Sequence, residues 1–206
     1  RKAGLGLLGN MVGDYKAVAC IEDTAVSLID LPNYIREFAA LMNKFDQKAV
    51  YYAHAGAGEL HLRPILNLKE REGIQYFREI TTEVAKLVKK YKGSFSGEHG
   101  DGIVRGEFLS LMIGNINYEL LKRIKNTFDP NNIFNPGKII DAFPMDTSLR
   151  YKEERNEPVI ETLINFEDSE GILRMSEKCN GSGDCRKTEH SNGVMCPSYK
   201  ATKNEL

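Results

Sequence analysis

The sequence predicts an α+β fold: a ferredoxin-like split βαβ domain with an antiparallel sheet, followed by a linker and a small irregular tail that contains cysteine. Short apolar runs and two long amphipathic stretches alternate in the order strand–helix–strand–strand–helix–strand. From residue 141 the composition turns polar and charged, with scattered prolines. Three of the four cysteines then crowd the last thirty residues.

Four short runs are predicted to form the sheet. Residues 18–21 are rich in strand formers, and so are residues 50–53 and 60–63, which a glycine-rich turn joins into a hairpin. Residues 94–96 form the fourth predicted strand and lead directly into a second glycine-rich segment. The sheet should therefore present both glycine-rich segments.

Helices are predicted over residues 31–45, 69–91 and 118–128 because apolar residues recur there at helical spacing. An Asp-Pro-Asn-Asn turn signal ends the third helix. The apolar positions of the first helix are Leu31, Ile35, Phe38, Leu41, Met42 and Phe45.

Composition narrows the class of protein. The chain has 206 residues, of which 41% are hydrophobic and 28% charged, as in an ordinary globular domain with a small appended element. A formal net charge of −1 gives no electrostatic reason to expect nucleic acid or an anionic membrane as a partner. No apolar run approaches the roughly 20 residues that a membrane-spanning helix needs.

Cysteine usage and the first residue suggest where the chain belongs. One isolated cysteine and three clustered ones make a poor disulfide framework, so we expect a reducing, cytoplasmic compartment. The full-length protein could also be peripheral to the inner face of the membrane. The chain starts at Arg1 and has no signal peptide, so we expect it to be a piece of a longer protein.

Three of the four histidines lie in the two glycine-rich segments, at His54, His61 and His99. If the hairpin turns symmetrically, His54 and His61 face each other with β-carbons about 5 Å apart. Glu98 would complete a His–His–carboxylate set with open positions, which is typical of a catalytic metal site. We expect these three side-chain tips to lie within about 8 Å of one another, which leaves His99 for acid–base chemistry.

A simpler interpretation is that His54 and His61 are half-buried strand residues whose ring nitrogens bond to the backbone. Two histidines at facing positions, together with a glycine-framed Glu-His pair, favour a site over that interpretation.

Four motifs together resemble the C-terminal domain of FAD-linked oxidases, a family that includes D-lactate, glycolate and D-2-hydroxyglutarate dehydrogenases. They are residues 54–61 (His-Ala-Gly-Ala-Gly-Glu-Leu-His), 96–102 (Ser-Gly-Glu-His-Gly-Asp-Gly), 128–130 (Phe-Asp-Pro) and 135–138 (Asn-Pro-Gly-Lys). The chain is most similar to large members with an iron–sulfur region after the oxidase part. The resemblance implies a substrate and cap domain at residues 1–140, a linker with short helices at 141–176, and a truncated ferredoxin-type iron–sulfur segment at 177–206.

The resemblance also implies roles for single residues. His54, His61 and Glu98 would bind a divalent metal such as zinc or manganese, and His99 would be the catalytic base. Arg1 and Arg63 would bind the substrate. Arg63 stands where some relatives have asparagine, so the identity of the hydroxy-acid substrate stays open.

The implied cofactor is FAD, bound mainly by an N-terminal domain that this chain lacks. The implied partners are a small 2-hydroxy acid, that flavin domain and a downstream electron acceptor. The oligomeric state stays open, with a homodimer as one option.

The cysteine segment resembles the first half of a bacterial [4Fe–4S] region, through Cys179, Cys185 and Cys196-Pro197. Ser182 stands in place of the middle cysteine, so the ligand set is incomplete. We expect a [4Fe–4S] cluster in the full-length protein and none on this segment alone.

The leading hypothesis is therefore the C-terminal part of an FAD-dependent D-2-hydroxy-acid dehydrogenase that is inactive without its flavin domain. Two alternatives remain open: a metal-dependent hydrolase that uses the same residues with a metal-bound water, and a non-catalytic ferredoxin-like interaction module.

Overall fold

The computed structural model describes residues 2–153 and 156–179. For residues 2–5 it describes the backbone alone. One compact unit is Asp14–Val159; the other combines the residues before it with those after it. Arg1, Cys185 and Cys196 lie outside the described residues. The α-helices of the described part are α1 Lys2–Gly9, α2 Leu31–Lys44, α3 Arg71–Lys90, α4 Leu109–Ile113, α5 Asn115–Phe128 and α6 Ile172–Glu177.

The larger unit is built on a four-stranded antiparallel sheet. Its strands are β1 Lys16–Ala17, β2 Ile21–Ala25, β3 Ala49–His54 and β4 Glu59–Leu66. β4 is central because β1, β2 and β3 all pair with it. Ser94 bridges Ala25 on β2, which gives the spatial order Ser94–β2–β4–β3 expected of a split βαβ domain. The predicted α+β class is confirmed.

Helices α2 and α3 cover one face of the sheet. Strand residues alternate between faces, so Leu60 and Leu62 of β4 point into the core while their neighbours point the other way. Phe38 of α2 packs edge-on against Tyr51 of β3, with ring centroids 5.5 Å apart. The fully buried core side chains include Tyr34, Phe38, Leu62, Ile80 and Val84. The core thus leaves the second face of the sheet available for polar chemistry.

Two of the predicted strands differ from the observed ones. The first begins at Ile21 rather than at residue 18, and the segment predicted over 94–96 forms a single bridge instead of a full strand. β2 also contains a bulge, where Asp23 is an extra residue between Glu22 and Thr24. A bulge changes the direction in which side chains point. Here the bulged residue, Asp23, accepts hydrogen bonds from the backbone of Glu98 and His99.

The β3–β4 hairpin has a register two residues away from the symmetric one predicted from the sequence. His54 pairs with Glu59 and Tyr52 pairs with His61, so the predicted facing pair of His54 and His61 is wrong. A 3-10 turn at Ala55–Ala57 closes the loop, and Gly58 donates its backbone N–H to Ala55 at 3.1 Å. The two histidines remain diagonal neighbours on one face, because the shift is even.

Gly58→Ala should destabilise the larger unit by about 2 kcal/mol or more. Gly58 has φ 73°, and a β-carbon there would meet the carbonyl oxygen of Val26 at 2.1 Å. Gly56→Ala, two residues earlier in the same turn, is the matched control, because a β-carbon there meets nothing within 4 Å. Chemical denaturation of both variants measures the difference, and equal stabilities would contradict the expectation.

The larger unit continues past the boundary predicted at residue 140. Met145 is 2% exposed in the core, and Asp146 accepts hydrogen bonds from Arg78 of α3 at 2.5 and 2.8 Å. The segment predicted as a linker therefore begins as part of this unit. The smaller unit contains α1, a 3-10 turn at Glu167–Ser169 and α6. Among the described residues, no helix combines the length and apolar character needed to cross a membrane.

Candidate metal and acid–base site

The candidate site lies on the sheet face opposite α2 and α3. Alternation along β4 places Glu59, His61 and Arg63 on this face, and the hairpin register adds Tyr52 and His54 from β3. The rings of His54 and His61 lie edge to face, with centroids 5.2 Å apart. The local sequence thus alternates apolar residues for the core with polar residues for the site.

Glu98 brings the second glycine-rich segment to the same place. Its Oε1 lies 3.6 Å from His54 Nε2, 3.9 Å from His61 Nε2 and 2.9 Å from His99 Nε2. The predicted convergence of His54, His61 and Glu98 is therefore present, well within 8 Å. His99 also stacks on His61, with ring centroids 5.4 Å apart.

Burial divides the site into a floor and a rim. The floor consists of Glu22, Glu59 and His61, whose side chains are 9%, 11% and 1% exposed. On the rim, His54, Glu98 and His99 are 44%, 40% and 37% exposed. A small molecule can thus reach the rim, while the floor is held by the fold.

The residues present fit a divalent metal. One ligand atom each from His54, Glu59, His61 and Glu98 lies within 4.8 Å of the other three. Ligands bound to one ion at about 2.0–2.2 Å lie at most about 4.4 Å apart, so small side-chain adjustments suffice. Two imidazoles with carboxylates are typical donors for zinc and related ions. Metal binding itself stays a prediction.

Glu22 orients His61 from the side away from Glu98. Its Oε1 lies 3.5 Å from His61 Nδ1 and accepts the Tyr52 hydroxyl hydrogen bond at 2.9 Å. Its Oε2 accepts a hydrogen bond from Arg63 at 2.5 Å. Burial opposes ionisation, but Arg63 and Tyr52 outweigh it and lower the pKa of Glu22. A carboxylate behind a metal-binding histidine fixes the ring and its tautomer.

Arg63 lies on the site face, as the predicted substrate role requires, but it is 14% exposed and ion-paired with Glu22. Its guanidinium also lies over the Tyr52 ring, 5.6 Å from the centroid. In this arrangement Arg63 supports the floor of the site. Direct contact with substrate stays a prediction.

Asp23 anchors the segment that carries Glu98 and His99. Its carboxylate accepts hydrogen bonds from the backbone N–H groups of Glu98 at 2.9 Å and His99 at 2.7 Å, and from the Ser96 hydroxyl at 2.8 Å. Burial alone would raise its pKa, but hydrogen bonds led by that of the His99 amide lower the pKa of Asp23 to about 2. Asp23 adopts φ 82°, which the β2 bulge permits and which an aspartate tolerates better than most residues.

Arg105 completes this anchor. It donates hydrogen bonds to the backbone carbonyls of Glu22 and, at 2.7 Å, of Gly100. These two hydrogen bonds connect β2 to the loop after His99, and Arg105 is buried.

Sequence reasoning missed three carboxylates of this site: Glu22, Asp23 and Glu59. Glu59 stands between the two predicted histidines, and its spacing of two from His61 places both on one strand face, a signal that could have found it. Glu22 and Asp23 end the first predicted strand, and only the β2–β4 pairing brings them to the histidines.

The structure describes two of the four cysteines. Cys179 is exposed and Cys20 is buried, and both are free thiols. Burial raises the pKa of the Cys20 thiol to about 11, which makes it a poor ligand or nucleophile. The iron–sulfur prediction for Cys185 and Cys196 falls outside the described residues.

Comparison with known proteins shows which family the chain belongs to. The family model described as FAD linked oxidases, C-terminal domain, matches residues 1–139. The chain belongs to this family. It is 38% identical to a D-2-hydroxyglutarate dehydrogenase of Haemophilus influenzae, and the match covers 100% of this chain and 20% of that protein.

Other members of the FAD-linked oxidase family are also similar. A D-2-hydroxyglutarate dehydrogenase of Pseudomonas putida is 36% identical over 98% of this chain and 20% of its own length. A D-lactate dehydrogenase of Archaeoglobus fulgidus is 33% identical over 61% of this chain and 27% of its own length. The chain thus spans about a fifth of the D-2-hydroxyglutarate dehydrogenases it matches.

Proposed function

We propose that this chain is the substrate-binding and proton-transfer part of an FAD-dependent D-2-hydroxy-acid dehydrogenase. The observation that carries the proposal is the convergence of His54, His61 and Glu98, with His99 beside them, in a chain of the FAD-linked oxidase family. Such a set combines a metal-binding group with a candidate general base, which is the equipment needed to activate an alcohol.

D-2-Hydroxyglutarate is the first substrate to test. The relatives matched over essentially the whole chain carry the name D-2-hydroxyglutarate dehydrogenase, whereas the D-lactate dehydrogenase match covers 61% of it. Because the chain spans about a fifth of these relatives, residues outside it would also contribute to the choice of acid.

His54, His61 and Glu98 would hold the metal. When bound, a divalent metal supplies Lewis-acid polarisation of the hydroxyl and carboxylate oxygens of a 2-hydroxy acid. FAD supplies the hydride acceptor. These cofactors perform the steps that side chains alone cannot.

The residues of this chain orient the substrate and move its proton. His99 lies on the exposed rim, where its imidazole would accept the hydroxyl proton as hydride leaves the carbon. Glu22 holds the His61 ring from behind. Asp23 fixes the backbone of Glu98 and His99, so that ligand and base keep their relative position.

The test uses the full-length protein with its flavin domain. Under anaerobic conditions D-2-hydroxyglutarate should bleach the visible flavin absorbance, and its L enantiomer should not. D-Lactate and glycolate are tested in parallel. Removal of the metal with a chelator should abolish bleaching, and adding back zinc or manganese should restore it.

Three results would contradict the proposal or part of it. If no D-2-hydroxy acid bleaches the flavin of the metal-loaded protein, the dehydrogenase assignment is wrong. Metal-dependent hydrolytic turnover without flavin reduction would instead support the hydrolase alternative. Unchanged flavin reduction after chelation and after His54→Ala would remove the metal from the mechanism.

A further inference from the structure

Glu59 lies beside the site without a role in the reaction just described. Its side chain is 11% exposed, and Oε1 lies 3.6 Å from His61 Nε2, the same ring nitrogen that faces Glu98. It pairs across the hairpin with His54. Glu59 therefore reaches the center of the site from the strand that carries His61.

One oxygen of Glu59 is not accounted for by the fold. The other takes part in a hydrogen bond with Asp23, but within residues 2–153 and 156–179 the buried Oε1 has no hydrogen-bond partner. A buried carboxylate oxygen without a hydrogen-bond donor is costly, because no hydrogen bond replaces its lost hydration. Because this oxygen faces His61 Nε2, a metal ion bound to both atoms would compensate for the lost hydration.

We propose that Glu59 is a fourth protein ligand of the metal, so that the ion is held by two imidazoles and two carboxylates. The inference rests on the proposed metal site and extends it. One ligand atom from each of His54, Glu59, His61 and Glu98 lies within 4.8 Å of the other three, so Glu59 is as well placed as the three ligands implied by the motifs.

Charge supports the same assignment. Glu59, Glu98 and Asp23 bring three carboxyl groups together in and around the floor of the site. Glu59 and Glu98, which must both be ionised to bind a metal, would together balance the charge of one divalent cation. The hairpin thus supplies three of the four ligands, and Glu98 supplies the fourth from a different part of the chain.

A purely structural role makes a different prediction. If Glu59 only donates a shared proton to Asp23, glutamine can replace it, since the amide N–H₂ donates the same hydrogen bond. Glu59→Gln would then leave metal affinity unchanged and keep the fold. The isosteric variant therefore separates the two roles.

The experiment measures the dissociation constants of zinc and manganese for the full-length protein, by competition with a chromophoric chelator. Glu59→Gln should weaken binding by about 100-fold or more, above the range typical of residues behind the ligands. Glu98→Gln is the positive control and should weaken binding to a similar extent. Glu83→Gln, at a partly exposed residue of α3 that pairs with Lys86, is the matched negative control and should leave metal binding unchanged.

The outcomes are distinct. If Glu98→Gln weakens binding and Glu59→Gln leaves it within about threefold of wild type, Glu59 is not a ligand, and the proposed function stands. If the wild type binds neither metal, the metal site and the role of Glu59 in it are both wrong, whereas the dehydrogenase assignment is decided by the flavin-bleaching test. Should Glu59→Gln fail to fold by circular dichroism, the crystal structure of the metal-loaded wild type decides. An Oε atom of Glu59 about 2.2 Å from the ion supports the proposal, and about 3 Å or more overturns it.

Discussion

His99→Ala in the full-length protein should lower turnover by about 10²–10⁴-fold while leaving metal content close to that of wild type. His99 is on the rim of the site, with its side chain 37% exposed, so the substrate hydroxyl can reach the imidazole. Its backbone N–H, which ties the loop to Asp23, survives the substitution. The loss should therefore fall on proton transfer rather than on the shape of the site. Steady-state kinetics and metal analysis of the same preparation measure both quantities.

His54→Ala and Glu98→Ala are the comparison variants for His99→Ala, and both should lose metal and turnover together. Their ligand atoms lie 3.6 Å apart at the center of the predicted ligand set. Glu22, His61 and His99 form another group of potential ligand atoms, so a ligand role for His99 is a real alternative. Equal metal loss in all three variants would show that His99 is a ligand and that the base lies elsewhere.

Asp23→Asn should cost about 3 kcal/mol of unfolding free energy and weaken metal binding at least tenfold. The carboxylate accepts three hydrogen bonds from Ser96, Glu98 and His99, and an amide group has one acceptor atom in place of two. Asparagine tolerates positive φ, so the backbone at φ 82° is not itself strained by the change. The effect therefore reports on the hydrogen bonds of the Asp23 side chain and not on backbone strain.

Asp46→Asn is the matched control for Asp23→Asn, because Asp46 also has positive φ, at 50°, but is exposed. It should change stability by less than about 0.5 kcal/mol. Chemical denaturation and metal competition are measured for both variants. The metal competition is carried out well below the unfolding temperature. If Asp23→Asn lowers stability but leaves metal affinity at the wild-type value, Asp23 serves the fold and does not position Glu98.

Local pattern was sufficient for much of the fold. The predicted helices 31–45 and 69–91 correspond to α2 and α3, because each carries an apolar stripe at helical spacing that the sheet buries. The first strand was predicted three residues early and the last was reduced to one bridge, since strand ends depend on partners distant in sequence.

The hairpin shows what pattern cannot decide. The alternation of side chains along the strands correctly placed His54 and His61 on one face. Which residues pair across the hairpin depended on the conformation of the turn. The 3-10 turn, with Gly58 at φ 73°, shifted the register by two residues. Because the shift was even, the site survived the error. A shift of one would have sent one histidine into the core.

The sequence by itself determined the α+β class and the chemical character of the site, through histidines and a carboxylate framed by glycines. Only the tertiary structure decided which other groups share that site. Glu22 and Asp23 reach it because β2 pairs with β4 across some forty residues of sequence, and Asp23 turns toward the loop because of a bulge. Such neighbours follow from long-range pairing and burial, which local sequence periodicity does not encode.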